Sequence, residues 1–148
     1  MNRRTAEKVT DALAGLARAN VVEFQRSPDL CRAYLANLKA GRHKYTPDRV
    51  TCGYADCWST YRALVERYPT GPILLDCEDA ACAHSGWLST QCYADRIFVG
   101  LVPGKVISHA ISGVEKAGET FIRIVDPCIW YGMPPTRYDG PIWRPVDR

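Results

Sequence analysis

Asp76-Cys77-Glu78-Asp79-Ala80-Ala81-Cys82-Ala83-His84, followed by apolar runs at 96–102, 106–114 and 120–125, sets the organisation of this chain. Aspartate is a strong helix N-cap, and Asp79, three residues after Asp76, can reach back to it in a capping box. The alanine-rich continuation predicts a helix over 76–90, with Trp87 and Leu88 on one side. The three apolar runs predict strands, divided by Pro103-Gly104 and by a turn around Gly118. Helices first, then one helix leading into an antiparallel meander, make an α+β fold.

Upstream, Val9, Leu13, Leu16 and Phe24 recur at helical spacing and predict an amphipathic helix over 5–25. Ser27-Pro28-Asp29 reads as a break and restart, with Ser27 as N-cap and Pro28 at the first helical position. The second helix uses Leu30, Tyr34, Leu35 and Leu38 and stops at Gly41. Residues 41–47 read as a polar connector in which His43 is solvated. Asp56 or Ser59 is expected to open a third helix through Tyr61, Leu64, Val65 and Tyr68, ended by Pro69-Thr70-Gly71-Pro72. The last 22 residues hold five of the ten prolines and two of the four tryptophans, which predicts an extended tail packed on the domain. A chain of 148 residues, 47% of them apolar, suits one domain. Its parts are an N-terminal helical hairpin (1–45), a core (46–135) and a Pro/Trp-rich tail (136–148).

The charged fraction of 24% and aromatic fraction of 10% exclude a disordered chain. Apolar runs fall far short of the roughly 18 residues that span a bilayer. Arg3 and Arg4 lead into Glu7, Lys8 and Asp11 with no apolar stretch, so no signal peptide and a cytoplasmic location are expected. The net charge of +3, with no interleaved basic and aromatic patch, argues against nucleic acid. Residues 1–50 carry ten Lys/Arg against five Asp/Glu, so the helical hairpin offers a basic surface to a protein partner.

The seven cysteines are odd in number and lack an export signal, which speaks against a disulfide framework. Cys52-x4-Cys57 and Cys77-x4-Cys82, with His84 and Cys92 nearby, lack the two-residue gap of a zinc knuckle. On a helix Cys77 and Cys82 lie about 500° apart and face different sides. No metal is therefore expected, and most thiols read as small buried hydrophobes. A zinc-stabilised domain remains the alternative.

Cys77 is different because it falls in the first helical turn, where the helix dipole favours a thiolate. Glu78 and Asp79 oppose that, so an imidazolium would be needed to hold the anion. His84 sits about 10 Å further along the same helix, too far for contact. His43 lies in the connector, which leaves His109 in its strand. A hairpin turn centred between Ala117 and Gly118 places His109 opposite Asp126, on one face of the sheet. A slip of one residue would separate them. Nucleophile, base and orienting carboxylate then form a Cys–His–Asp arrangement. The competing reading is an inert buried cysteine beside ordinary helix-terminal acids.

These motifs together, Asp76–Ala81, then Ser108-His109-Ala110, then Asp126-Pro127 with Trp130-Tyr131-Gly132-Met133-Pro134, resemble the transglutaminase-like (papain-like) superfamily of cysteine proteinases. The likeness is to its small bacterial and bacteriophage members and covers about residues 70–135. It implies a helical lobe carrying the nucleophile against a β lobe carrying His and Asp. It further implies that Cys77 is the nucleophile, His109 the base and Asp126 the orienter, acting on a protein or peptide without a cofactor. The family draws an oxyanion donor from an upstream side chain, for which Tyr54 and Trp58 are the candidates here. Asp76 stands where the family often has glycine. The short chain favours peptide hydrolysis over transamidation. A non-catalytic interaction module of a phage or bacterial assembly is the reading from another class.

Overall fold

The computed structural model describes residues 2–47, 58–104 and 108–146, which form an α+β fold. Helices α1 (Arg3–Arg26) and α2 (Pro28–Lys39) make the N-terminal hairpin. Ser27 joins them: its Oγ accepts from the Leu30 N–H at 3.2 Å, and Pro28 occupies the first turn where its missing N–H costs nothing. Helix α3 (Tyr61–Arg67) is capped by Thr60, whose Oγ1 accepts from the Ala63 N–H at 3.4 Å. This corrects the expected opening at Ser59, whose backbone N–H is engaged by Asp79 instead. The alternative opening, Asp56, lies outside the described residues.

Within the expected polar connector 41–47 the chain forms a short strand, and a second strand follows α3. Strand β1 (His43–Tyr45) pairs in parallel with β2 (Ile73–Leu75), His43 opposite Ile73. His43 is only 2% exposed, so the expectation of a solvated histidine is overturned.

Helix α4 (Cys77–Gln91) follows β2 directly and occupies the middle of the molecule. It packs on α1 so closely that a Cβ on Gly86 would sit 2.7 Å from Asn20 Cβ and 3.1 Å from the Ala17 carbonyl. Its other side meets the sheet, where Ser112 Oγ donates to the Ala81 carbonyl at 3.0 Å and Ser85 Oγ to the Phe98 carbonyl at 3.1 Å. A helix covered on both sides needs small apolar residues all round, which is what Ala80, Ala81, Cys82 and Ala83 supply.

The sheet has the order β5-β4-β3-β6, with β3 (Arg96–Val102), β4 (His109–Glu115), β5 (Arg123–Val125) and β6 (Ile142–Pro145) all antiparallel. The single-turn helix α5 (Pro127–Trp130) lies between β5 and β6. The tail thus packs as a fourth strand, and Arg144 Nε donates to Asp11 Oδ1 at 2.7 Å to tie β6 to α1. The β4–β5 turn closes where expected, with the Glu119 N–H donating to the Lys116 carbonyl at 3.0 Å. The chain then bends through 120–121 before pairing begins, so β5 is shorter than the expected 120–125. Ser112 pairs with Val125 and Val114 with Arg123, a register two residues away from the one expected. Among the described residues no helix is long and apolar enough to cross a membrane.

Candidate active site

The junction between β2 and α4 places Cys77 at the first position of the central helix. Asp76 is the N-cap, accepting from the Glu78 N–H at 3.3 Å, and Asp79 reaches back to the Asp76 N–H to complete the capping box. The other oxygen of Asp79 accepts from the Ser59 N–H at 2.8 Å. That bond anchors the segment carrying Trp58 beside the helix N-terminus. Trp58 is half-buried, and its enclosed indole Nε1 has no hydrogen-bond partner among the described residues. Tyr54 lies outside the described residues.

The Cys77 thiol is 6% exposed and donates to Glu78 Oε2 at 3.3 Å. Burial pushes it well above the ordinary thiol range, and the Glu78, Asp76 and Cys128 groups push the same way. The Ala110 backbone N–H opposes them. Ala110 is the residue after His109, so the thiol meets β4 at the histidine's neighbour. Glu78 is itself pushed up to about 9, by burial first and then by Asp76. Burial and the crowding of acids thus bias both the thiol and the Glu78 carboxyl toward their neutral forms.

His109 and Asp126 come together despite the altered register. A displacement of two residues preserves the face each side chain occupies, whereas a displacement of one would not. Asp126 leaves β5 to become the N-cap of α5, its Oδ1 accepting from the Cys128 N–H at 3.2 Å. Its Oδ2 lies 2.8 Å from His109 Nε2, with the carboxylate 4% and the imidazole 14% exposed. With Nε2 engaged by Asp126, Nδ1 is the ring nitrogen left to exchange a proton.

Tyr138, which sequence reasoning missed, also touches this pair. Its hydroxyl donates to Asp126 Oδ2 at 2.8 Å, and its ring stacks on the imidazole at 6.5 Å and 27°. The local signal was slight: one aromatic in a Pro-rich run, just before Asp139-Gly140 and the strand-like Ile142-Trp143.

Among the described residues Cys31, Cys77, Cys82, Cys92 and Cys128 are free thiols. Cys82 Sγ donates to the Leu13 carbonyl of α1 at 3.3 Å, so it does not share a site with Cys77. Cys52 and Cys57 lie outside the described residues. Asp76, Cys77 and Glu78 bring three potential metal-ligand atoms within 4.8 Å of one another, but these are consecutive residues of the helix cap. His84, the other histidine near α4, is 4% exposed and bonded through Nδ1 to Tyr34 Oη at 2.7 Å.

The fold and site define an α+β protein with a helix-terminal thiol and a hydrogen-bonded His–Asp pair on the adjoining sheet. No protein-family model matches the chain, and no curated protein matches it.

Proposed function

We propose that this protein is a transglutaminase-like cysteine hydrolase, a peptidase that cleaves an amide bond in a protein or peptide through an acyl-thioester on Cys77. The observation that carries the reading is the 2.8 Å bond between His109 Nε2 and a buried Asp126, next to Ala110, whose backbone N–H acts on the Cys77 thiol. A buried His–carboxylate pair costs desolvation, and stabilising an imidazolium is what such a pair does well.

The chemistry follows from these positions. His109 Nδ1 takes the thiol proton as Sγ attacks the carbonyl carbon. Negative charge then develops on the carbonyl oxygen. The Cys77 N–H, in the first turn where N–H groups have no intrahelical acceptor, and the Trp58 indole N–H are the donors suited to it. His109 returns the proton to the amine as the C–N bond breaks, leaving the acyl-thioester. Water, deprotonated by His109, attacks that thioester, and the carboxylic acid leaves as the thiol is restored. Asp126 stabilises the imidazolium in both halves.

Limited labelling with iodoacetamide, followed by mass spectrometry, tests the reading. Cys31 and Cys92 are more exposed than Cys77, so accessibility alone would label them first. An enzyme labels Cys77 first, and needs His109 to do so. The neutral, acid-flanked thiol favours one rival, a non-catalytic interaction module, in which Cys77 would label slowest of the three.

A further inference from the structure

The His–Asp pair is overlaid by a segment that the cleavage steps do not themselves require. Residues 133–139, on the path from α5 to β6, are mostly exposed and lie between Gly132 (φ 103°) and Gly140 (φ 61°). These left-handed positions turn the chain at each end of the segment. Tyr138 points inward from it, half-buried, and places both its hydroxyl and its ring on the catalytic pair. Asp126 thereby accepts from His109 and Tyr138 on Oδ2 and from the Cys128 N–H on Oδ1. A carboxylate with so little exposure relies on such donors to replace the water it has lost.

We propose that Tyr138 is a positioning residue of the hydrolase centre, its hydroxyl holding Asp126 Oδ2 on His109 Nε2 while its ring fixes the imidazole plane. The inference rests on the hydrolase reading. Burial, and then the bond to Asp126, push the Tyr138 phenol up, so it stays a donor across the working pH range. The bond is charge-assisted, the kind whose loss is felt most when it sits out of water. The ring adds shielding, keeping water from competing for the carboxylate.

The test is the pH profile of Cys77 alkylation by iodoacetamide, with thermal unfolding followed in parallel, for the native chain, Tyr138→Phe, Tyr138→Ala and His109→Ala. Tyr138→Phe keeps the ring and loses only the donor, and should slow alkylation about tenfold, the equivalent of one charged hydrogen bond. Its acid limb should also move, because the His109–Asp126 pair that governs it has lost one of its fixed donors. Tyr138→Ala should slow alkylation further. A residue that merely pins the tail would lower the unfolding temperature and leave the acid limb in place. If either Tyr138 variant folds and keeps the native rate and profile while His109→Ala is slow, the Tyr138 proposal is wrong and the hydrolase reading stands. If His109→Ala alkylates at the native rate, both are wrong.

Discussion

Two histidine environments in this molecule use the same ring for opposite ends. In the helical half, His43 Nε2 meets Tyr61 Oη and His84 Nδ1 meets Tyr34 Oη, each at 2.7 Å. Tyr34 and Tyr61 pack edge to face at 5.0 Å, and Asn37 donates to Tyr61 Oη at 3.0 Å. Burial lowers both imidazoles to about 4, with Arg42 adding to the effect at His43 and His43 adding to it at His84. On the sheet, His109 instead faces the carboxylate of Asp126. A phenol hydrogen-bonds a neutral imidazole but brings no countercharge to its cation, whereas a carboxylate stabilises the cation directly. Only the second kind of partner suits a ring that must gain and release a proton in each turnover. The cluster around Tyr34 is a scaffold, and the pair at β4 is the candidate machine.

The comparison breaks most sharply on reactivity. Replacing His109 with alanine should reduce the rate of Cys77 alkylation near neutral pH by roughly 10²–10⁴, the usual range for a positioned general base. His84→Ala, on the same helix as the thiol, should leave that rate at the native value in the folded fraction and show itself as lost stability. Peptide-resolved mass spectrometry against time, read beside a denaturant melt, separates the two. Equal slowing by both substitutions would erase the distinction between scaffold and site.

Acid should strike the helical half. A histidine lowered in the folded state binds its proton more readily when unfolded. His43 and His84 thus contribute stability that is fully present above about pH 6.5 and lost as the pH falls toward 4. Each accounts for roughly 2–3 kcal/mol at the bottom of that window. Urea midpoints at pH 7, 5.5 and 4.5 should fall in that order, and His84→Phe should flatten the fall while removing the Tyr34 bond.

How far this contrast was legible in the sequence depends on the range of the forces involved. The capping box at Asp76 and Asp79, the restart at Ser27-Pro28 and the strand at 96–102 are written in neighbouring residues, and local patterns carried them. The meeting of His109 and Asp126 survived a misjudged register because strand faces repeat every two residues and the extra residues at 120–121 shifted pairing by an even number. His43 read as solvated because its neighbours Arg42 and Lys44 are charged. Its burial comes from Tyr61 and from pairing with Ile73, thirty residues away. Tyr138 was invisible for the same reason: its position is fixed by β6 joining the far side of β3, a contact without local periodicity.

The site has a pH weakness of its own, opposite in sign to that of the helical half. Glu78 is raised to about 9 in the folded protein, so its contribution to stability is complete below its unfolded value near 4.5 and is lost as the pH climbs through 9. Glu78→Gln removes the ionisation while keeping the shape. The variant should lose less stability than the native chain between pH 5 and pH 9, so the difference between the two should widen steadily across that window. Together with the histidine cluster this draws stability down toward both acid and alkaline pH. A Glu78→Gln chain with the native alkaline slope would place the weakness elsewhere.

The smallest effect gives the cleanest control. Ser27 lies at the α1–α2 junction, and its hydroxyl accepts the Leu30 N–H, so Ser27→Ala leaves that first-turn donor to water. The cost should be about 1 kcal/mol, the usual loss for an N-cap serine. It touches neither histidine environment, so the acid slope of stability should keep its native steepness and the curve should only move down. Cys77 alkylation under native conditions should also be unchanged, because a loss of that size still leaves the folded form dominant. If alkylation instead rises in step with the loss of stability, the labelled species is an opened chain rather than the native site. The reactivity of every other variant would then have to be referred to the population of that opened form before His109 or Tyr138 could be assigned a part in it.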